Sequence, residues 1–468
     1  MQFHHQASPE STAGKLPPAT PTFVLRGHTS PLHSLHFYNK NSRLVSGDAD
    51  GWVIVWCMTS KRAVASWKAH EGSVLGVQGV DLDEVGKGPE KRIFTSLMID
   101  LRHGRDHKLL VWRLNASDEE IVGKSLPVDG NAQPEEGTEP WLLHSLAVNA
   151  LNFCAFSMCI LPRPRNLNEG PSPGGHGILL AVPNALNSGG IDIFQLPSEK
   201  RLCTIQPDPS HNTGMVMALE LFISASNMDE ISIISGYEDG STMIHSCRAS
   251  LDELAPHPAP RAEASSSWHW KKIYTNKPHS QPVLSLDVSP SPKRTYFLTS
   301  SADALIVKHP VPKLHTGRDF TAQQPESVPL KVLNTKHAGQ QGLRIRSDEK
   351  IFVTAGWDNR IRVYSGKTMN ELAVLKWHKE GCYAIAIATM YNSDDLVPEL
   401  THFQDETDKL AASQEPSEST SSESMVPRPG LENRSLAAIK QKRSMKAQLT
   451  HWIAAGSKDG KISLWDIY

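Results

Sequence analysis

Four short segments of the chain repeat one plan, and this repetition constrains the fold more than any other feature of the sequence. In each segment an apolar run leads to a small-residue turn with an aspartate, and a second apolar run ends in an aromatic residue. The aspartate and the aromatic residue are always six positions apart, in segments 46–56, 103–112, 355–364 and 455–465. Short apolar runs bounded by Gly, Asp and Asn are strand signals, so each segment predicts two strands joined by a turn.

A histidine precedes the aspartate turn in most of these units. His28 lies 22 residues before Asp50, and His337 lies 21 residues before Asp358. A further apolar run, typical of an inner strand, follows each histidine. Units of about 40 residues that begin with such a histidine, end in such an aromatic residue and hold four strands are the sequence form of WD40 propeller blades.

The constant spacing predicts a structural role for these polar residues. The loop with the histidine and the turn with the aspartate open on the same face of a blade, so the carboxylate can accept a hydrogen bond from the imidazole. A hydroxyl and the terminal aromatic residue can hold the other side of the ring, and a buried network of this kind is stable only when its members are satisfied. The predicted network residues are His28, Ser46, Asp50, Trp56, His70, Asp106, Trp112, His337, Asp358, Tyr364, His378, Asp459 and Trp465.

Seven such units predict an all-β fold, a seven-bladed WD40 β-propeller, as one domain over 21–468 after a disordered tail at 1–20. The last unit supplies only three strands, whereas residues 20–28 hold an apolar strand ahead of the first histidine. Exposed sheet edges invite aggregation, so we expect the N-terminal strand to pair with residues 462–465 and close the ring.

Polar insertions rich in Pro or Gly interrupt the units near 115–141, 162–177 and 249–267. A longer insertion at 393–447 begins with an acidic, Ser-rich half, including 404–424, which we expect to be disordered. Its second half predicts a basic helix. Seven extra residues at 97–103 interrupt the turn of the second unit, either as a surface loop or as an error in the gene model.

Composition excludes several classes of protein. Hydrophobic residues make up 39% of the chain, enough for a large core, and Lys+Arg 48 against Asp+Glu 50 leaves a net charge of −2 without the basic excess of a general nucleic-acid binder. The N-terminus has no apolar signal segment, and no run is long enough to cross a bilayer. Six scattered cysteines without a CxxC pair are typical of an intracellular protein with free thiols.

The sequence predicts no catalytic residue, cofactor or metal site. The segment GSKDGKIS at 456–463 resembles a phosphate loop but is one residue short and leads into a strand instead of a helix. The histidines and charged residues at 103–107 coincide with an aspartate turn. The basic run at 440–443 is either a nuclear-localisation signal or the solvated face of a helix.

Surface residues beside the turns are the remaining candidates for function. The residue before each turn aspartate should point out of the top face, and an exposed aromatic side chain there is typical of interface anchors. The alternative is that such a ring folds flat against a neighbour. The candidate partner-binding residues are Trp357, Trp52, Arg105 and Lys458.

Four longer segments, 23–77, 103–114, 355–386 and 451–468, resemble the fungal family of ASTRA-associated WD-repeat proteins. The animal relative of that family is described as guanine nucleotide-binding protein beta subunit-like. The resemblance covers both ends and is weakest in the third to fifth units, where insertions dominate. The insert at 97–103 departs from the uninterrupted turn of the family.

This resemblance implies a non-enzymatic scaffold subunit of the nuclear ASTRA assembly, linked to chromatin remodelling and to maturation of phosphatidylinositol-3-kinase-related kinases. The implied partners are AAA+ ATPases, kinase-maturation co-chaperones and a large kinase-like subunit, with no direct contact to nucleic acid or membrane. The implied location is the nucleus, with the cytoplasm as a second compartment. A WD40 substrate receptor or a G-protein-β-like signalling scaffold is the alternative, and an enzyme that uses the central channel would need converging acid–base groups.

Overall fold

The computed structural model describes residues 19–84, 88–97, 107–130, 137–148, 153–161, 177–209, 211–224, 229–249, 268–314, 324–396 and 429–467. Within these residues, twenty-eight strands form seven four-stranded antiparallel sheets. The predicted seven-bladed propeller is therefore confirmed. Each sheet is one blade, and its first strand in chain order lines the central channel, except in the seventh blade, where the strand Cys382–Ile387 lines the channel and the N-terminal strand Phe23–Arg26 is the outer strand.

The strands of the first three blades are β2 (Leu32–Tyr38), β3 (Arg43–Asp48), β4 (Trp52–Cys57) and β5 (Arg62–Lys68); β6 (Val74–Glu84), β7 (Gly88–Leu97), β8 (Lys108–Arg113) and β9 (Trp141–Ala147); β10 (Ser157–Ile160), β11 (Ile178–Pro183), β12 (Ile191–Leu196) and β13 (Lys200–Ile205). Those of the next three blades are β14 (Val216–Ile223), β15 (Glu230–Tyr237), β16 (Thr242–Arg248) and β17 (Lys271–Asn276); β18 (Val283–Val288), β19 (Tyr296–Ser301), β20 (Leu305–Pro310) and β21 (Lys331–Asn334); β22 (Gln340–Ile345), β23 (Ile351–Gly356), β24 (Arg360–Ser365) and β25 (Glu371–Lys376). The seventh blade contains β26 (Cys382–Ile387), β27 (Trp452–Ser457), β28 (Lys461–Asp466) and β1 (Phe23–Arg26).

The seventh blade joins the two ends of the chain. Strand β1 pairs antiparallel with β28, with Phe23 opposite Leu464 and Leu25 opposite Ile462. Leu25 is only 1% exposed and belongs to an apolar cluster shared with blade 1. The predicted closure is confirmed, and it removes the free sheet edge that β28 would otherwise leave.

Small residues let successive blades approach closely. Gly47 on the second strand of blade 1 faces Val74 on the inner strand of blade 2, and a Cβ atom at Gly47 would lie 2.6 Å from Val74. Gly236 faces Val283 at the same distance between blades 4 and 5. Since a real Cβ atom cannot approach so closely, a larger residue at either position would push the blades apart.

Hydrogen bonds along the channel also join neighbouring blades. In each case a polar side chain on one inner strand accepts a backbone N–H from the next inner strand. These bonds are Val77 to Ser34 at 2.9 Å, Gly79 to His36 at 3.3 Å, Leu221 to Ser157 at 2.9 Å, Leu343 to Ser285 at 3.2 Å and Ile345 to Asp287 at 2.6 Å.

In the described parts of the insertions lie three helices and one 3-10 turn: α1 (Asp118–Ile121), the turn Pro127–Asp129, α2 (Ser393–Leu396) and α3 (Pro429–Leu449). Asn41, in the turn between β2 and β3, holds both ends of the blade 7 insertion. Its side chain exchanges two hydrogen bonds with the backbone of Thr389 (2.7 and 3.0 Å) and donates to Gln448 O at 3.0 Å. The tail at 1–18, most of the insert at 97–103 and the acidic 404–424 lie outside the described residues.

Candidate functional site: the blade networks and the mouth of the channel

Blade 1 shows which contacts the repeated spacing of histidine, aspartate and aromatic residue produces. The indole N–H of Trp56 donates to Ser46 Oγ at 2.9 Å, and Ser46 Oγ lies 2.7 Å from His28 Nε2. His28 Nδ1 lies 2.6 Å from the carboxylate of Asp48. A carboxylate only accepts, so Nδ1 carries the donated proton and the Ser46 hydroxyl donates to Nε2. The chain of bonds fixes the imidazole between two strands.

The carboxylate in this network is Asp48 and not the predicted Asp50. Asp50 is exposed and accepts a hydrogen bond from the Ser30 hydroxyl at the surface. Asp48 is fully buried and also accepts the backbone N–H groups of Asp50 at 3.0 Å and Trp52 at 2.9 Å. The six-residue spacing identifies the turn, but two aspartates in one turn compete, and the buried one meets the imidazole.

Blade 7 uses a different hydroxyl for the same purpose. His378 Nε2 lies 2.8 Å from Ser463 Oγ, which accepts the indole N–H of Trp465 at 2.9 Å. Ala455 stands where Ser46 stands in blade 1, and Ser463 is its partner across the β27–β28 pair. The hydroxyl is thus supplied by the adjacent strand, while Asp459 lies 3.5 Å from His378 Nδ1.

Blade 2 has a threonine as the central acceptor. Thr95 Oγ1 accepts the indole N–H of Trp112 at 3.2 Å and lies 2.9 Å from His70 Nε2. Asp106, the predicted carboxylate of this blade, lies outside the described residues.

Blade 5 contains a complete network although the sequence shows no aromatic residue at its end. Tyr274 OH lies 2.8 Å from His309 Nδ1, His309 Nε2 lies 2.9 Å from Thr299 Oγ1, and Thr299 Oγ1 lies 2.8 Å from His279 Nε2. His279 Nδ1 meets Asp303 at 3.1 Å. Asp303 accepts the Nδ1–H of His279, so the Thr299 hydroxyl donates to His279 Nε2. Thr299 Oγ1 then accepts the Nε2–H of His309, which takes the place of an indole N–H, and the Tyr274 hydroxyl donates to His309 Nδ1. His309, six residues after Asp303, therefore fills the place that an aromatic residue fills in blades 1, 2 and 7.

Blade 6 departs from the plan. His337 Nδ1 is 3.8 Å from Asp358, and the His337 side chain is 44% exposed. The buried Gln340 replaces the imidazole and accepts the Thr354 hydroxyl at 2.6 Å. Partial burial opposes ionisation of Asp358, but the hydrogen bonds from the Arg362 guanidinium, at 2.5 and 3.1 Å, lower its pKa.

The terminal aromatic residue of blade 6 has a packing role. Tyr364 is 2% exposed and stacks on Phe352, with ring centroids 5.0 Å apart and planes 12° from parallel.

The top mouth of the central channel is ringed by side chains that β-bulges expose. In six blades the inner strand skips one residue of its register, and the skipped residue is half-exposed. A bulge of this kind re-aims a side chain. These residues line a cavity of about 500 Å³, with Phe153 completing the ring from blade 3. We call the ring the collar: His33, Leu75, Phe153, Met217, Leu284, Gln341 and Tyr383.

Trp357 extends the collar across the top face. Its indole N–H donates to Gln341 Oε1 at 2.9 Å, and the side chain remains 48% exposed. The ring lies over Gly339, where a Cβ atom would be 2.2 Å from it and where φ is +72°. Tyr383 stacks on His33 with centroids 5.9 Å apart. The ring of Trp357 therefore rests on its own blade, and one open face continues from it to the channel mouth.

A charged level lies below the collar. His36, Glu220, Asp287 and Arg344 occupy matching positions on four inner strands and line the same cavity. Burial, with the neighbouring Asp287, raises the pKa of Glu220 to about 7, and burial lowers that of His36 to about 4. The sequence analysis did not predict this convergence. Each of the four residues lies three positions after the collar residue of its own strand, and this shared spacing is the signal that could have indicated it.

The contacts of this level are structural. Asp287 and His36 accept the backbone N–H groups that join neighbouring blades, and the Arg344 guanidinium donates to Leu343 O at 2.7 Å.

Across the described ranges, no group of three or more histidine, cysteine or acidic side chains is placed to hold a metal ion. In the part of the chain that the structure describes, no helix is long and apolar enough to span a bilayer.

The other surface candidates lie apart from the collar. Trp52 begins β4 and is half-exposed, Lys458 is exposed in the β27–β28 turn, and Arg105 lies outside the described residues.

Comparison with known proteins identifies the family. The model described as "WD domain, G-beta repeat" matches residues 19–57 and 448–466, which contain strands β1 to β4 and the last two strands, β27 and β28. A protein of Penicillium rubens named ASTRA-associated protein 1 is 53% identical over 457 residues, 96% of this chain and 98% of the relative. This chain belongs to the ASTRA-associated protein 1 family. Its relative in Aspergillus niger is 49% identical over 98% of this chain and all of the relative, and that in Schizosaccharomyces pombe is 34% identical over 78% and 93%.

Membership of this family fits a non-catalytic propeller. The polar residues with matching spacing hold strands together inside blades, and the charged level holds neighbouring blades together. At the top face, the collar and Trp357 present exposed apolar surface around the mouth of the channel.

Proposed function

We propose that this chain is a non-enzymatic scaffold subunit of an ASTRA assembly, acting in chromatin remodelling and in the maturation of phosphatidylinositol-3-kinase-related kinases in the nucleus. The relatives are named for association with ASTRA. The proposed partners are AAA+ ATPases, kinase-maturation co-chaperones and a large kinase-like subunit.

The continuous open surface formed by the collar and Trp357 carries this proposal. It joins one residue from each blade to an exposed indole that is already fixed by a hydrogen bond and by the glycine beneath it. A rigid aromatic side chain loses little conformational entropy on binding, and such anchors dominate interface energies. The surface is therefore suited to bind a protein partner, and this role requires no catalytic step.

Affinity purification tests the proposal. A tagged chain, expressed as the sole copy in its host, should co-purify with the named ASTRA partners, and Trp357→Ala should weaken that association. Loss of a hot-spot residue costs about 2 kcal/mol or more, a factor of roughly 30 in Kd. Leu284→Glu, which puts a charge in the collar, should have the same effect.

The matched control is Trp141→Ala, because Trp141 is 67% exposed on β9 at the outer rim. It should leave recovery of the partners unchanged. Recovery of the wild-type chain without remodelling or kinase-maturation proteins would refute the scaffold role, and equal loss in both tryptophan variants would refute the assignment to the top face.

A further inference from the structure

Helix α3 extends beyond the body of the propeller. Side chains 436 and 438–443 are all exposed, side chains 444 and 445 are half-buried, and Ala447 is 6% exposed. There the indole N–H of Trp452 donates to Ala447 O at 2.9 Å, and Asn41 donates to Gln448 O. The end of α3 is thus fixed to the bottom face, opposite the collar. Residues 436–443 project about 12 Å from it, at 1.5 Å per residue.

The charges of α3 are of one sign. Between residues 433 and 449 the sequence contains no Asp or Glu and five cations: Arg434, Lys440, Lys442, Arg443 and Lys446. Lys440 and Arg443 are three residues apart, and Lys442 and Lys446 are four apart. Like charges at these spacings destabilise a helix by about 0.2–0.5 kcal/mol per pair. A short helix without packing is marginal in water, so this projecting part needs a counter-surface to be stable.

Two exposed apolar side chains share the face with the cations. Leu436 is 64% exposed and Ile439 is 47% exposed. Together with Lys440 and Arg443 they occupy positions i, i+3, i+4 and i+7. This is the spacing by which a helix inserts one face into a groove.

We propose that α3 docks through this face into a groove of a partner protein that has an apolar floor and acidic walls. The two apolar residues argue for a protein and against nucleic acid, because a phosphate backbone offers no apolar floor for Leu436 and Ile439. The net charge of −2 also leaves α3 without the broad basic surface that a nucleic-acid binder presents. The inference rests on the proposed scaffold role and adds a second surface on the opposite face.

Site-specific photo-crosslinking in the host tests the proposal. The full chain carries benzoylphenylalanine at position 439, and a matched chain carries it at position 441, which helical spacing places on the opposite side of α3. We expect one protein to crosslink at 439 at least tenfold more than at 441. That protein, once purified, should bind the wild-type chain and lose at least tenfold in affinity with Lys440→Glu/Arg443→Glu and with Leu436→Ser/Ile439→Ser.

Control variants separate this surface from the folding of the chain and from the collar. Gln441→Glu should leave binding unchanged. Since the altered side chains are exposed, all variants should keep the wild-type Tm. Crosslinks to nucleic acid, no excess at 439 over 441, or affinity unaffected by charge reversal would overturn the proposal. So would capture of a nuclear-import carrier, which would assign 440–443 to transport. Trp357→Ala acts on the other face, so failure of the scaffold role is recognised separately.

Discussion

Exchange of the carboxylate in blade 1 provides a sharp test of the network. Asp48→Ala removes the acceptor of His28 Nδ1–H and of the backbone N–H groups of Asp50 and Trp52. A bond to an ionised group contributes about 1.5–3 kcal/mol and each backbone donor about 1 kcal/mol, so the free energy of unfolding should fall by roughly 4 kcal/mol. Asp50→Ala removes only an exposed contact to Ser30 and should cost less than about 0.5 kcal/mol.

Thermal unfolding followed by circular dichroism measures the difference. An entropy of unfolding near 2.1 cal/mol/K per residue gives roughly 0.73 kcal/mol/K for the roughly 350 residues that the structure describes. Asp48→Ala should therefore lower Tm by about 5 °C, and Asp50→Ala by less than about 1 °C. An equal or larger loss with Asp50→Ala would show that the imidazole of blade 1 is held by the aspartate that the spacing alone selects, and the geometry described above would be wrong.

Three further predictions concern other parts of the ring. Burial lowers the pKa of His245 to about 4 and of His309 to about 3, below the value of about 6.5 in the unfolded chain. The unfolded chain therefore takes up protons first, and stability present above pH 6.5 should fall by about 2 kcal/mol per imidazole by pH 5. The raised pKa of Glu220 acts in the opposite direction over the same range, so Tm measured from pH 7.5 to 5 should fall less steeply in His309→Gln than in the wild type; equal or steeper falls in the variant would contradict the prediction. Asn41→Ala breaks three hydrogen bonds at the base of the blade 7 insertion and should cost about 2–4 kcal/mol, seen as faster proteolysis within 390–450 before global unfolding. Leu25→Ala should cost about 3 kcal/mol in denaturant unfolding, against less than 1 kcal/mol for the half-buried Val24→Ala; equal costs would mean that β1 does not seal the ring.

The sequence by itself determined the class of fold and its closure. A six-residue step from aspartate to aromatic residue fits only a tight turn and a strand of fixed length, so its recurrence identifies blades even among long insertions. The missing fourth strand of the last unit and the unpaired strand at Phe23 then require each other, because a sheet edge lowers its free energy by pairing. These inferences depend on local geometry, which the order of residues along the chain contains.

Tertiary structure decided which side chains meet. Ser463 serves His378 because it lies opposite Ala455 across a strand pair, and His309 replaces an indole because its Nε2–H points at Thr299. Glu220 and Asp287 converge only when the ring brings their strands together around the channel. Spacing along the chain carries no information on burial or on contacts between blades, and these decide whether a polar residue holds the fold together or is left free to bind.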